Sequence, residues 1–145
     1  MQRYVYPARF TADRANGGFV VTFRDLKGAI TQGDSVNEAL SQAADCLDEY
    51  LAFCIREGRD IPRPSPPRRG ERLVPVPALM AAKAALYLAM RQARISNVAL
   101  ARRLGCDEKD VRRMLDPRHS SKIATLQAAL SALGKQIVLA VKNAA

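Results

Sequence analysis

The chain has 145 residues and a formal net charge of +9, a length that allows one ordinary domain or two small ones. Its longest apolar region, residues 78–90, is shorter than the roughly 20 residues that cross a bilayer, so no membrane span is expected. Residues 1–60 carry seven basic and nine acidic side chains, whereas residues 75–145 carry twelve and four. This asymmetry predicts a second half that meets a polyanion and a first half with a different task.

The first 33 residues are predicted to form three strands. Residues 4–10 alternate with a period of two, and Pro7 within them favours an edge position because proline lacks a backbone donor. Asn16-Gly17-Gly18 is typical of a turn, and residues 18–23 follow as the second strand of a hairpin. A short third strand is expected over residues 29–32.

A helix follows the strands. Ser35 and Glu38 have the spacing of a capping box, in which each side chain can bond the backbone of the other residue. The apolar face expected after this cap consists of Val36, Leu40, Ala43, Leu47, Leu51 and Cys54. Gly58 ends the helix, which we expect to pack on the small sheet.

Six of the eight prolines lie between Pro62 and Pro77. Proline fixes φ and removes a donor, so this segment is predicted to be a semi-rigid extended connector. Its four arginines are either part of a solvated spacer or contacts to phosphate.

Four helices are predicted after the connector, the first of them beginning at Pro77. The residues expected to open the later three are Ser96 or Asn97, Asp107, and Ser120 or Ser121. Gly105 and Gly134 are expected to end the second and fourth helices. The apolar run Ile137–Val141 is predicted to be a short closing strand.

The second and third of these helices have the pattern of a helix-turn-helix. Ala101 is the small residue where the two helices touch, Gly105 forms the turn, and Val111 locks the second helix in place. Arginine and lysine on the exposed face of that helix can read guanine or bind phosphate, and glutamate can accept from cytosine. The predicted DNA contacts are Asn97, Glu108, Lys109, Arg112, Arg113, Ser120 and Lys122. The alternative is a structural helical domain with a solvated basic face.

One such module reads few base pairs, so a homodimer is expected. We expect the fourth helix and Ile137–Val141 of the C-terminal domain to form its contact. The whole chain is thus predicted to have an α+β fold. It comprises a small β-β-β-α domain over residues 1–60, a proline-rich linker over residues 61–76 and an all-α helix-turn-helix domain over residues 77–145.

Two stretches resemble a known family. The segment 6–51, with its elements GGFVVTF and ITQGDS, resembles the N-terminal domain of HicB antitoxins, and RRLGCDEKDVRRMLDPRHSSK resembles the helix-turn-helix half of many of them. The resemblance covers essentially the whole chain. It departs from the family at Arg24 and Lys27, where prolines are frequent, and this puts the shape of that loop in doubt.

The resemblance implies a degenerate ribonuclease-H-like N-terminal domain that binds and blocks a HicA-like toxin. That toxin is a small, basic mRNA interferase with a double-stranded-RNA-binding-like fold and a catalytic histidine. The resemblance also implies that the C-terminal domain binds operator DNA and represses the toxin–antitoxin operon.

Nothing in the sequence favours an enzyme. A ribonuclease-H site needs clustered carboxylates that hold two metals, one carboxylate being on the first strand, and residues 2–11 contain none. No metal-ligand cluster and no phosphate-binding glycine loop is found, so no cofactor is expected. Three cysteines without C-x-x-C spacing fit the reducing cytoplasm, where we expect the protein to be located.

Aromatic residues of the first strand are candidates for the toxin contact. Tyr4, Tyr6 and Phe10 could anchor the interface, or each could belong to the core, which is the more common fate of such a stripe. A different function remains open: a stand-alone helix-turn-helix regulator whose first domain senses a small ligand. That function requires a concave pocket in the first domain.

Overall fold

A computed structural model describes residues 1–144 and divides the chain into two compact units. The first unit spans residues 1–81 and the second begins at residue 82, so the boundary falls inside a helix, α2 (Ala78–Ala93). The first unit contains strands and the second contains helices, which confirms the predicted α+β class. The domain limits predicted from the sequence, at residues 60 and 76, remain predictions.

The first unit is built on a four-stranded antiparallel sheet of order β3-β2-β1-β4. Its strands are β1 (Val5–Ala12), β2 (Phe19–Phe23), β3 (Ile30–Gly33) and β4 (Glu71–Pro75). The sequence predicted the first three. It missed β4, which lies in the segment predicted to be a connector and pairs with β1 so that Tyr6 faces Val74. As an edge strand, β4 tolerates its terminal proline.

The edge position predicted for β1 is wrong, because β1 lies between β2 and β4. Pro7 is nevertheless compatible with this central place. Pairing of β1 with β2 begins only at Ala8, which faces Phe23, so the missing donor of Pro7 falls outside that ladder.

A single long helix, α1 (Val36–Arg56), packs on the sheet. Its start confirms half of the predicted capping box: the Ser35 hydroxyl accepts from the Glu38 amide at 3.1 Å, but the Glu38 carboxylate accepts from the Asp34 amide instead of that of Ser35. The helix approaches β3 so closely that a Cβ on Gly33 would lie 2.4 Å from the Ala39 nitrogen. The fully buried side chains of this core include Tyr6, Ala8, Val21, Leu26, Leu47 and Leu51.

In the second unit, three short helices follow α2. They are α3 (Asn97–Leu104), α4 (Glu108–Leu115) and α5 (Ile123–Ala132). Ser96 caps α3 by accepting from the Ala99 amide at 3.1 Å, and Gly105 ends α3 in the left-handed conformation with φ +68°. Both features agree with the sequence prediction. The core of this unit includes Leu86, Leu100, Val111, Leu126 and Leu130.

Two local predictions in the second unit are wrong. Neither Ser120 nor Ser121 caps α5, because the helix begins one residue later, after Lys122, with no side-chain cap. The hydroxyl of Ser121 is engaged elsewhere, with Lys83. Ile137–Val141 forms no strand in the described residues, and the described part of the second unit contains no other strand with which it could pair.

Candidate functional site

Helices α3 and α4 meet across a three-residue turn, residues 105–107. Ala101 and Val111 are both buried where the two helices touch, as the sequence pattern predicted. At the start of α4 the Asp107 amide donates to the Asp110 carboxylate at 3.1 Å. The turn is thus capped at both ends, the two helices pack at Ala101 and Val111, and one face of α4 lies in solvent.

The exposed face of α4 is mainly basic. Lys109, Arg112 and Arg113 are exposed, while Glu108 and Asp110 are partly exposed. Arg112 pairs with Glu108 at 3.1 Å, and Arg113 pairs with Asp110 at 3.6 Å, both along the same helix. The guanidinium side chains remain 61% and 49% exposed. Ion pairs this exposed are weak, so a nucleic acid can replace the carboxylates as partner.

The other three predicted DNA contacts lie at or near helix starts. Asn97 is the first residue of α3 and is partly buried, whereas Ser120 and Lys122 are exposed just before α5. The structure therefore brings Lys109, Arg112 and Arg113 onto one helix face. It leaves Asn97 at the start of α3 and places Ser120 and Lys122 together in the loop before α5. Additional exposed basic residues that the sequence reading omitted are Arg102, Arg103 and Arg118. Their charge was the only available signal.

The aromatic candidates of β1 differ in exposure. Tyr6 is fully buried, and its hydroxyl donates to the Pro62 carbonyl at 2.7 Å. Tyr6 thus belongs to the core of this structure, the alternative that the sequence left open for it, and presents no surface there. Tyr4 and Phe10 are partly exposed; burial raises the pKa of Tyr4 to about 12, and the Arg72 guanidinium lies 5.6 Å from the ring centroid of Phe10.

The solvent face of α1 is acidic. Asp45 and Glu49 are exposed, and Asp48 between them is partly buried. The pKa of Asp48 is raised, first by burial and then by the charges of Glu49 and Asp45. Phe53 lies further along the helix with 39% of its surface exposed, and the Arg59 guanidinium stacks over its ring at 5.1 Å. From the sequence these acids are either a solvated face or a docking surface for a basic partner, and Phe53 was not singled out.

A cavity of about 180 Å³ in the first unit is open and lined largely by charged side chains. Small-molecule sites are mostly apolar and occupy about 300–1,000 Å³, so this cavity does not suit a sensed ligand. The residues that line it are Arg9, Thr22, Phe23, Arg24, Arg68 and Glu71. The described residues 1–144 contain no group of three metal-ligating side chains and no helix able to cross a membrane.

Comparison with known proteins gives consistent matches. Residues 5–85 match the family described as HicB-like antitoxin of bacterial toxin–antitoxin systems. Antitoxin HicB 2 of Photorhabdus laumondii is 42% identical over 134 residues, which cover 92% of this chain and 94% of that protein. Antitoxin HicB of Escherichia coli K12 is 36% identical over 92% of this chain and 96% of its own length. Antitoxin HicB of Pseudomonas fluorescens is 35% identical, covering 77% of each chain.

Proposed function

The chain belongs to the HicB-like antitoxin family, and from this premise we propose that it neutralises a HicA-like mRNA interferase and represses its own operon by binding DNA. The match covers nearly the whole length of two relatives, and both are named as antitoxins and not as enzymes. The observation that carries the DNA-binding half of the proposal is the exposed basic face of α4 behind a capped and packed turn.

We assign the reading of the operator to α4. Arg112 and Arg113 are the candidates for bidentate contacts to guanine, and Lys109 for a contact to guanine or phosphate. Glu108 accepts from cytosine only if it releases Arg112. Asn97, Ser120 and Lys122 fit phosphate contacts that set the register on the duplex.

The test is a binding titration with the DNA upstream of the gene and with a scrambled duplex, each at two salt concentrations. Replacing Arg112 and Arg113 with alanine is expected to cost about 1–3 kcal/mol each on the upstream DNA and to reduce its preference over the scrambled duplex. The matched control removes two exposed charges of the first unit, Arg14→Ala with Lys27→Ala. Equal loss in both double variants, or no preference in the unaltered protein, would contradict sequence reading by α4.

For toxin neutralisation we propose that the first unit covers the RNA site of a basic toxin. The acidic face of α1 supplies charge complementarity, and the partly exposed rings of Tyr4 and Phe10 are the candidate anchors. Tyr6, which is buried in β1 between these two residues, supports the strand and is not an anchor in this proposal.

This half is tested by purifying the product of the small open reading frame beside the gene, assaying it for RNA cleavage and titrating that cleavage with variants of this chain. Tyr4→Ala with Phe10→Ala is expected to raise the concentration needed for half-inhibition, and Asp45→Asn with Glu49→Gln to make inhibition less sensitive to salt. Circular dichroism controls for folding. Full inhibition by a folded aromatic double variant would remove both rings from the interface.

We further propose that the C-terminal domain forms a homodimer. Val138, Leu139 and Val141 are 66%, 79% and 90% exposed in the single chain, although they are residues that a fold normally buries. A second copy could pair with this segment as the strand that one chain cannot form alone. Removing residues 135–145 should convert a dimer to a monomer in light scattering; an unchanged dimer mass places the contact elsewhere.

The three-part division into residues 1–60, 61–76 and 77–145, and a cytoplasmic location, belong to the same proposal. Cys46, Cys54 and Cys106 are all unpaired thiols, and burial raises the pKa of each. Unpaired, protonated thiols fit a reducing compartment.

A further inference from the structure

Among residues 1–144, Lys83 is the one charged side chain that the fold buries completely. It lies on α2, and its ammonium group makes three hydrogen bonds. It donates to the Arg113 carbonyl at 3.1 Å, to the Met114 carbonyl at 3.0 Å and to the Ser121 hydroxyl at 2.9 Å. All three of its donors are therefore used, and all three acceptors are neutral.

Two of these acceptors belong to the last turn of α4. The final carbonyls of a helix have no partner within the helix, and a cation there also interacts favourably with the helix dipole. The Arg113 carbonyl has a second donor in the Asp116 amide at 3.2 Å. Lys83 thus closes the C-terminal end of the same helix that carries Arg112 and Arg113.

The third acceptor fixes the loop that follows α4. The Ser121 hydroxyl accepts from Lys83 and also contacts the Arg113 carbonyl at 3.3 Å and His119 Nδ1 at 3.1 Å. Ser121 lies between Ser120 and Lys122, the two predicted phosphate contacts of that loop. One nitrogen atom therefore holds both the end of α4 and the loop that precedes α5.

Burial of this ammonium group is energetically unfavourable. Desolvation lowers the pKa of Lys83, and the charge of Asp116 opposes that effect only in part. An apolar side chain of similar length fills such a space at lower cost when packing alone is required. A buried lysine at this position is explained if directional hydrogen bonds, and not packing alone, must define the position of α4.

We propose that Lys83 is a positioning residue for DNA recognition: it touches no DNA, but its three hydrogen bonds set the orientation of α4 and of the loop before α5. This inference rests on the proposed reading of DNA by α4. It predicts that loss of the donors at position 83 weakens binding to the operator more than binding to unrelated DNA, because phosphate attraction tolerates a displaced helix and base contacts do not.

The experiment compares full-length Lys83→Met with the control Leu86→Val, which changes a buried residue of the same helix but none of these hydrogen bonds. Affinity is measured for the upstream DNA and for a scrambled duplex. Lys83→Met is expected to lose about tenfold or more on the upstream DNA, the equivalent of at least one hydrogen bond, and about twofold or less on the scrambled duplex. Leu86→Val is expected to keep the ratio of the two affinities.

An unchanged ratio in folded Lys83→Met would overturn the proposal. If Lys83→Met does not fold, Ser121→Ala replaces it, since that variant keeps both carbonyl bonds and is expected to lose about threefold of the preference; an unchanged ratio there contradicts the proposal equally. If instead the proposed reading of DNA by α4 is wrong, the unaltered protein itself shows no preference for the upstream DNA, and this result differs from a failure of the Lys83 proposal alone.

Discussion

Each unit of the chain has a cation at which distant segments meet, but the two cations have different surroundings. In the first unit the Arg24 side chain is 24% exposed and pairs with the carboxylates of Glu71 at 2.8 Å and Asp25 at 3.5 Å. In the second unit Lys83 is fully buried and bonds only neutral oxygens. Because the Arg24 side chain is partly exposed, water and salt ions can compensate for part of its ion pairing. Lys83 is fully buried, so its hydrogen bonds are not replaced by solvent once it is removed.

The contacts around Arg24 fix the proline-rich segment to the sheet. Arg24 also bonds the Ser65 hydroxyl and, at 3.0 Å, the Pro66 carbonyl, and the Ser65 amide donates to Asp25 at 2.8 Å. Arg24 is one of the two positions where the sequence departs from the family pattern. Arg24 therefore connects its own loop, the one that departs from the family pattern, to residues 65–71.

The largest effect is expected when the buried cation is deleted. Lys83→Ala should destabilise the second unit by about 3 kcal/mol, because it leaves a cavity and removes the Lys83 donor from the buried Met114 carbonyl. Arg24→Ala should destabilise the first unit by less, since the Arg24 side chain is itself partly exposed to solvent. Amide hydrogen exchange, read separately on peptides from residues 1–76 and 97–132, measures each loss in its own unit. A greater loss from Arg24→Ala would reverse the comparison.

An intermediate effect is expected for the neutral hydrogen bond that also fixes the proline-rich segment. Tyr6→Phe keeps the buried ring but removes the bond to the Pro62 carbonyl, which should cost about 1 kcal/mol. Chemical unfolding of the first unit provides the measurement. Tyr50→Phe, a partly exposed residue of the same unit, is the control, and equal losses in the two variants would show that the bond contributes nothing specific.

The smallest effect concerns pH and tests the ionic character of the Arg24 cluster. The hydrogen bond from Arg24 lowers the pKa of Glu71 from 4.5 to about 2. Since the folded-state pKa is below the unfolded one, this stabilisation is fully present above about pH 4.5 and is lost as the pH falls towards 2. Glu71→Gln should therefore flatten the acid limb of the stability profile between these values. An unaltered acid limb would mean that the pair does not contribute.

Local signals in the sequence were sufficient for much of the fold. Turn glycines, the Ser35 cap, the periodic face of α1 and the residues around Gly105 each act within a few positions of the chain. The candidate DNA-binding face of α4 follows from the same short-range spacing. The exposure of Tyr4, Tyr6 and Phe10 could not be predicted in this way, because it depends on where the proline-rich segment and α1 lie.

The sequence by itself determined the first three strands and the helix after them, the four later helices, the α+β class, the family and the basic character of the second unit. Periodicity, capping and charge are properties of neighbouring residues. Only the tertiary structure decided that β4 completes the sheet beside β1, that Tyr6 is buried against Pro62, and that Lys83 closes α4. Each of these is a contact between residues more than 25 positions apart. Such contacts depend on which surfaces remain to be covered after the local elements have formed, and no local pattern encodes that.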